Sequence, residues 1–254
     1  MTRRHPSASP TQIRFGSHPA IAANFVKRQG QDELFEAVFT RAEPRTVLTG
    51  MRGSGKTQLA ATVATRCEEE GWPLVAWIDA DSRDRLITNL YNLALQAGIE
   101  APKDVPPETI VQRFLDQLRS ADAEDRLFVF DNVENLDDLK GLAPEGDGAR
   151  IIITTTRHLD WDSLGWFLLT VGVFKREQSI ALLCERNGDT DRDAADQIAE
   201  ALGDLPVAVT QAAATAKWGG YTLSGYLNML RNHPLDSSIS RFEGDDYPDA
   251  VGIV

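Results

Sequence analysis

Gly50-Met-Arg-Gly-Ser-Gly-Lys-Thr57 decides the reading of this chain. It fits GxxxxGK(S/T) in full. A short apolar run, Thr46-Val-Leu-Thr49, precedes it. From Lys56 to Glu70, Leu59, Ala60, Val63, Ala64 and Cys67 fall on one helical stripe. Strand, glycine-rich turn and amphipathic helix are the context this motif requires. Gly50, Gly53 and Gly55 let the backbone wrap around phosphate oxygens with N–H groups pointing inward, and a helix N-terminus adds partial positive charge. Lys56 is expected to reach the β- and γ-phosphates and to be exposed in their absence. The Thr57 hydroxyl is expected to ligate Mg²⁺. Ser54 and Gln58 are grouped with the nucleotide-contacting residues, and Arg52 either lies over the phosphates or faces solvent. A glycine-rich turn with a chance Lys-Thr is the competing reading.

The partner segment is Leu127-Phe-Val-Phe-Asp131, 75 positions after Lys56. An apolar strand ending in an acid places a carboxylate at the sheet's carboxyl edge, where Asp131 is expected to hold Mg²⁺ through water. Asn132 follows where a water-polarising acid stands in many ATPases, and an amide cannot accept a proton. Glu134 is either a substitute acid or a solvated loop residue. It also occupies the place of the glycine that follows the acid in guanine-specific loops. With no Asn-Lys-x-Asp sequence in the chain, ATP and ADP are expected over GTP.

Outward from these motifs, helices and short apolar strands alternate. Asp32 to Thr40 reads as helix, Leu74-Val-Ala-Trp-Ile78 as strand, Arg83 to Ala97 as helix. Pro106-Pro107 open a helix to Ser120. Arg150-Ile-Ile-Ile-Thr154 and Phe167 to Val171 are further strands. Continuously apolar strands between helices predict an α/β fold with a five-stranded parallel sheet flanked by helices. From residue 176 the pattern becomes all-helical, with segments at Arg176–Arg186, Asp193–Leu202, Leu205–Lys217 and Thr222–Arg231. The expected organisation is a flexible arm over 1–22, a nucleotide-binding domain over 23–174, a small all-α subdomain over 175–232, and a linker over 233–254.

Composition sets outer bounds. At 254 residues, 42% hydrophobic and 25% charged, the chain can bury a sizeable core. Thirty-eight acids against 26 bases leave a net charge of −12, which argues against nucleic-acid binding by this segment. No run approaches the roughly 20 apolar residues of a membrane helix. Met1-Thr-Arg-Arg-His is not followed by an apolar core, so it does not read as a signal peptide. Cys67 and Cys184 stand far apart, outside any metal-type cluster, as in a reduced compartment. A cytoplasmic location with no membrane contact is expected. His5, His18, His158 and His233 show no ligand spacing, and Trp77 reads as core or pocket wall.

The order of these segments resembles the NB-ARC branch of the STAND signal-transduction ATPases, over roughly residues 20 to 254. Phe25-Val26-Lys27-Arg28 with Asp32-Glu-Leu34 is similar to the opening element whose backbone lies over the adenine; Lys27 stands where the family usually has glycine. Leu127 to Glu134 resembles the Walker B segment of bacterial members that carry Asp-Asn. Arg150-Ile-Ile-Ile-Thr-Thr-Thr-Arg157 resembles the sensor element, which implies that Arg157 faces the γ-phosphate. A surface arginine after a strand is the plainer alternative. Leu202-Gly-Asp-Leu205-Pro206 is similar to the GLPL element, whose proline packs near adenine. It also reads as a helix stop followed by a helix-opening proline, and both can hold. With Gln211-Ala-Ala-Ala214 it looks like the actinobacterial type often fused to tetratricopeptide repeats. Tyr247-Pro-Asp-Ala-Val251 is similar to the start of a winged-helix subdomain, cut short here.

The resemblance implies a regulatory switch that binds ATP or ADP with Mg²⁺, hydrolyses slowly and rearranges its domains, with a protein partner or self-association in one state. The catalytic set would be Lys56, Asp131, Asn132 and Arg157. Two other readings compete. A turnover ATPase or motor needs a stronger catalytic acid than Asn132. A DNA-binding regulator would need its reader outside this chain.

Overall fold

The computed structural model describes residues 12–23, 25–40, 43–120, 125–146 and 148–232. The winged-helix-like Tyr247–Val251, the linker over 233–254, residues 1–11 of the arm, His5 and His233 lie outside them.

Strands β1 (Ile13–Phe15), β2 (Arg45–Thr49), β3 (Leu74–Asp79), β4 (Arg126–Asp131), β5 (Ala149–Thr155) and β6 (Phe167–Thr170) form one sheet in the order β1-β3-β4-β5-β2-β6. β1/β3, β3/β4 and β4/β5 pair in parallel. Every residue of β5 is buried, as are all of β4 except its last. Strands covered on both faces need continuous rather than alternating apolar sequence, and Leu127-Phe-Val-Phe and Ile151-Ile-Ile supply it.

Between and after the strands run α1 (Gln31–Phe39), α2 (Lys56–Glu69), α3 (Arg83–Gln96), α4 (Pro107–Ser120), α5 (Arg176–Asn187), α6 (Arg192–Ala201), α7 (Pro206–Trp218) and α8 (Leu223–Asn232). The predicted elements are recovered within one or two residues. The sheet differs from expectation by one strand: Ile13–Phe15, in the stretch read as an arm, adds a sixth. Ile13 N–H donates to Pro73 O at 2.8 Å, and Ile13, Arg14 and Phe15 register with Leu74, Val75 and Ala76.

The chain groups into two compact units that cut across sequence order. The first takes described residues within 1–18, 35–47 and 60–168. Its core packs Leu86, Leu90 and Leu93 of α3 and Ile110 and Phe114 of α4 with Phe128, Phe130, Ile151 and Ile153 of the sheet. The second takes those within 19–34, 48–59 and 169–254. Its core is helical: Ile180 and Leu183 of α5, Ile198 of α6, Val209 and Ala212 of α7, Tyr226 of α8. Every residue of α7 from Pro206 to Ala216 is buried, which its small apolar composition allows.

Candidate functional site

β2 stops at Thr49 and α2 starts at Lys56, so the glycine-rich turn carries the chain directly from strand to helix. Gly50 and Gly53 have φ of 153° and 78°. A Cβ on Gly50 would lie 2.3 Å from Val171 O, and one on Gly53 2.3 Å from Val207 Cγ1. Backbone angle and crowding both require glycine there. A Cβ on Gly55 would meet nothing within 4 Å. Beside this open face the Ser54 hydroxyl is fully buried and finds no hydrogen-bond partner among the described residues. An unsatisfied buried hydroxyl costs about 1–3 kcal/mol, so the loop fits a ligand that brings an acceptor oxygen.

Lys56 departs from its expected exposure. It is only 9% exposed, and its Nζ donates to Gly50 O and Met51 O, each at 2.9 Å. The ammonium folds back onto the loop's own carbonyls. Arg52 is exposed.

In the same unit, a cleft of about 340 Å³, partly open to solvent, runs from Gly55 to the start of α7. Phe25, Val26, Arg28, Gln58 and Pro206 of the sequence-derived set all line it. Two side chains fix its shape. Gln58, buried on α2, accepts from Ala22 N at 3.0 Å and donates to Ala20 O at 3.1 Å. Arg28 bonds Gly172 O and lies 4.6 Å from the centre of the Phe174 ring. Both residues brace the walls. Leu205 is absent from the cleft lining and packs toward the helical core.

The turn before α7 is held from two sides. Gly203 and Asp204 take φ of 60° and 55°. Phe174 N–H donates to Asp204 O at 2.9 Å, and Arg176 Nε reaches both Asp204 carboxylate oxygens at 3.1 Å. This sets Pro206 at the first turn of α7, and Val207 N–H donates to Gly53 O at 3.2 Å.

The acid-bearing residues gather in the first unit, where β4 and β5 end. Asn132 N–H donates to Thr154 Oγ1 at 2.8 Å, and Thr154 Oγ1 donates to Asp131 Oδ1. Asn132 has φ 64°, a left-handed conformation that asparagine tolerates better than most residues. Arg157 is 60% exposed and is held by Glu134: Nε donates to Glu134 O at 2.9 Å, and a guanidinium nitrogen lies 3.6 Å from the carboxylate. β5 separates the loop's strand β2 from Asp131's strand β4.

Sequence reasoning missed Thr154, the Ala20–Ala22 contact of Gln58, and Phe174, Leu182 and Thr210 of the cleft. Thr154 lies inside the sensor-like run Arg150 to Arg157 without a role of its own there; the others belong to no motif, and only folding brings them to these positions. Asp79, in register with Asp131, was also passed over. Its carboxylate is bound by Arg85.

No family model matches the chain. It is 26% identical over 255 residues to a nucleotide-binding leucine-rich repeat (NLR)-like protein of Hyaloscypha variabilis, an alignment covering 87% of this chain and 25% of that one. The chain thus spans about a quarter of its relative's length. The fold is similar to a Walker-type ATPase of Pyrococcus abyssi (TM-score 0.54, 14% identity, 84% of this chain and 73% of that one). It is also similar to Cdc6p of Pyrobaculum aerophilum (TM-score 0.55, 16% identity, 85% and 66%). The chain therefore has a P-loop ATPase fold, a parallel sheet flanked by helices, and is similar along most of its sequence to an NLR-like protein.

Proposed function

We propose that this chain is the nucleotide-binding part of a signalling switch that takes ATP and ADP. The observation that carries the reading is the loop itself: left-handed glycines, a buried Ser54 hydroxyl with no partner among the described residues, and an apolar cleft that begins at Gly55 of the same loop. In this reading Lys56 leaves the carbonyls of Gly50 and Met51 for phosphate oxygens, and Ser54 donates to another. Phe25, Val26 and Pro206 cover the base, while Arg28 and Gln58 hold those walls in place.

Thr57 and Asp131 are the residues to hold Mg²⁺, a hydroxyl and a carboxylate that suit a hard cation. When bound, Mg²⁺ would neutralise charge on the β- and γ-phosphates. Asp131 is kept as an acceptor by the Thr154 hydroxyl bonded to it. Arg157 exchanges Glu134 for the γ-phosphate, a charge-assisted contact that distinguishes ATP from ADP. Asn132 orients water but takes no proton, so hydrolysis is slow. The switch acts by rearranging the nucleotide domain (23–174) and helical subdomain (175–232), exposing a surface for a protein partner or a second copy. A segment of charge −12 takes no part in nucleic-acid binding, and a cytoplasmic setting suits the reading.

The test is titration of labelled ATP and ADP against wild type and Arg157→Ala, with the nucleotide that purifies with the protein identified after denaturation. The variant is expected to lose about ten- to a hundredfold in ATP affinity, from a charge-assisted bond of about 1.5–3 kcal/mol, and to keep its ADP affinity. Equal losses for both nucleotides, or none, remove Arg157 from the sensor role. A wild type that binds neither nucleotide overturns the function.

A further inference from the structure

Arg176 opens α5 two positions after Phe174, and Asp204 stands two positions before Pro206, which opens α7. Phe174 and Pro206 both line the cleft that starts at Gly55. Two stitches join these stretches. Phe174 N–H donates to Asp204 O at 2.9 Å. The Arg176 guanidinium takes the Asp204 carboxylate as a fork, with Nε 3.1 Å from both oxygens and Nη2 3.0 Å from Oδ2. Its Nη1 donates to Asp196 Oδ1 of α6 at 3.0 Å, which holds the fork from the other side.

Asp204 occupies the place of the glycine in the GLPL-like run and has φ 55°. Glycine adopts that backbone at no steric cost, whereas a side chain there is tolerated at some cost. The carboxylate offsets this through its pair with Arg176. An ion pair in open solvent contributes little. Here the carboxylate side chain is only 14% exposed, and a two-bond fork to it fixes direction as well as distance. A shift of the clamp therefore moves Phe174 and Pro206 relative to each other.

We propose that Arg176 is a positioning residue of the cleft: through Asp204 it fixes the gap between Phe174 and Pro206, and with it the fit of the nucleotide base. Arg176 acts through these two walls and not on the ligand. The assignment rests on the nucleotide-binding reading above. It adds a determinant that lies outside both the glycine-rich turn and the sensor-like run.

Wild type, Arg176→Gln, Asp204→Asn and the double variant are titrated with ATP and with inorganic tripolyphosphate, which carries the phosphates without a base. Asparagine tolerates the left-handed backbone, so Asp204→Asn keeps the turn and removes the charge. It carries the test if thermal unfolding shows Arg176→Gln to be unfolded. Each single variant is expected to bind ATP about two- to tenfold more weakly, less than the full worth of a charge-assisted bond, and to bind tripolyphosphate as wild type does. The double variant is expected to be no weaker than the weaker single, because both substitutions break one clamp. If folded single variants bind ATP like wild type, the clamp is an ordinary ion pair and the assignment is overturned. It is also overturned, while the phosphate loop stands, if tripolyphosphate affinity falls by the same factor or if the two losses add in the double variant. If wild type binds neither ligand, the nucleotide-binding reading itself fails and the role of Arg176 falls with it.

Discussion

Asn132 carries two constraints at once. Its side chain stands where a catalytic acid stands in many ATPases, and its backbone is left-handed at φ 64°. Residues other than glycine, asparagine and aspartate lose about 1–2 kcal/mol in that conformation. Asn132→Glu is therefore expected to lower stability by about 1 kcal/mol, while Asn132→Gly leaves it near wild type. Thermal unfolding of the pair checks this, and equal midpoints would remove the backbone argument. Lys56 needs a similar correction. Because its ammonium bonds Gly50 O and Met51 O, Lys56→Ala is expected to unsettle the loop as well as remove a phosphate contact. Nucleotide binding should be lost, and unfolding free energy should fall by about 1 kcal/mol even without ligand. Unchanged binding would contradict the phosphate-loop role.

At the scale of elements, the contact between the glycine-rich turn and α7 leaves no room. A methyl on Gly53 would overlap Val207 Cγ1 at 2.3 Å on a backbone of φ 78°, so Gly53→Ala is strained by both clash and conformation. The expected loss is about 1–3 kcal/mol of stability, and weaker nucleotide binding with it. A variant as stable as wild type in denaturant titration would refute the packing argument. The helical unit carries an acid-sensitive joint. Asp189 accepts from Leu223 N and Asp191 N, and Asp191 accepts from Ala194 N and the Ser224 hydroxyl, capping α6 and fixing the start of α8. These bonds favour the carboxylates, so both pKa values lie below the ordinary range. Their contribution is fully present above the unfolded value of about 3.9 and fades as pH falls through the lower folded values. Asp189→Asn is expected to flatten the decline of unfolding free energy below about pH 4. A slope identical to wild type would show that the joint carries no such linkage.

For the whole molecule, the prediction concerns rate. In the proposed reading, Asn132 in place of an acid withholds general-base assistance worth about 10²–10⁴ in rate. Phosphate release under excess ATP is expected to fall well below the roughly 1–100 s⁻¹ of kinase-like enzymes, with ADP retained between turnovers. Many turnovers per second would favour a motor over a switch. Much of the fold behind this reading was legible along the chain. Leu127-Phe-Val-Phe and Ile151-Ile-Ile specify covered parallel strands by continuous apolarity, and Gly50 to Thr57 specifies its turn by local backbone demands. Short-range chemistry of that kind is written in neighbouring residues. What tertiary structure alone decided came from partners distant in sequence. Ile13–Phe15 is too short to show a period and becomes a strand only by pairing with β3. Arg157 is held by Glu134 from another turn. Ala22, Gln58, Phe174 and Thr210 form one cleft because four separated segments close on each other, and no local pattern records which side chains meet after closure.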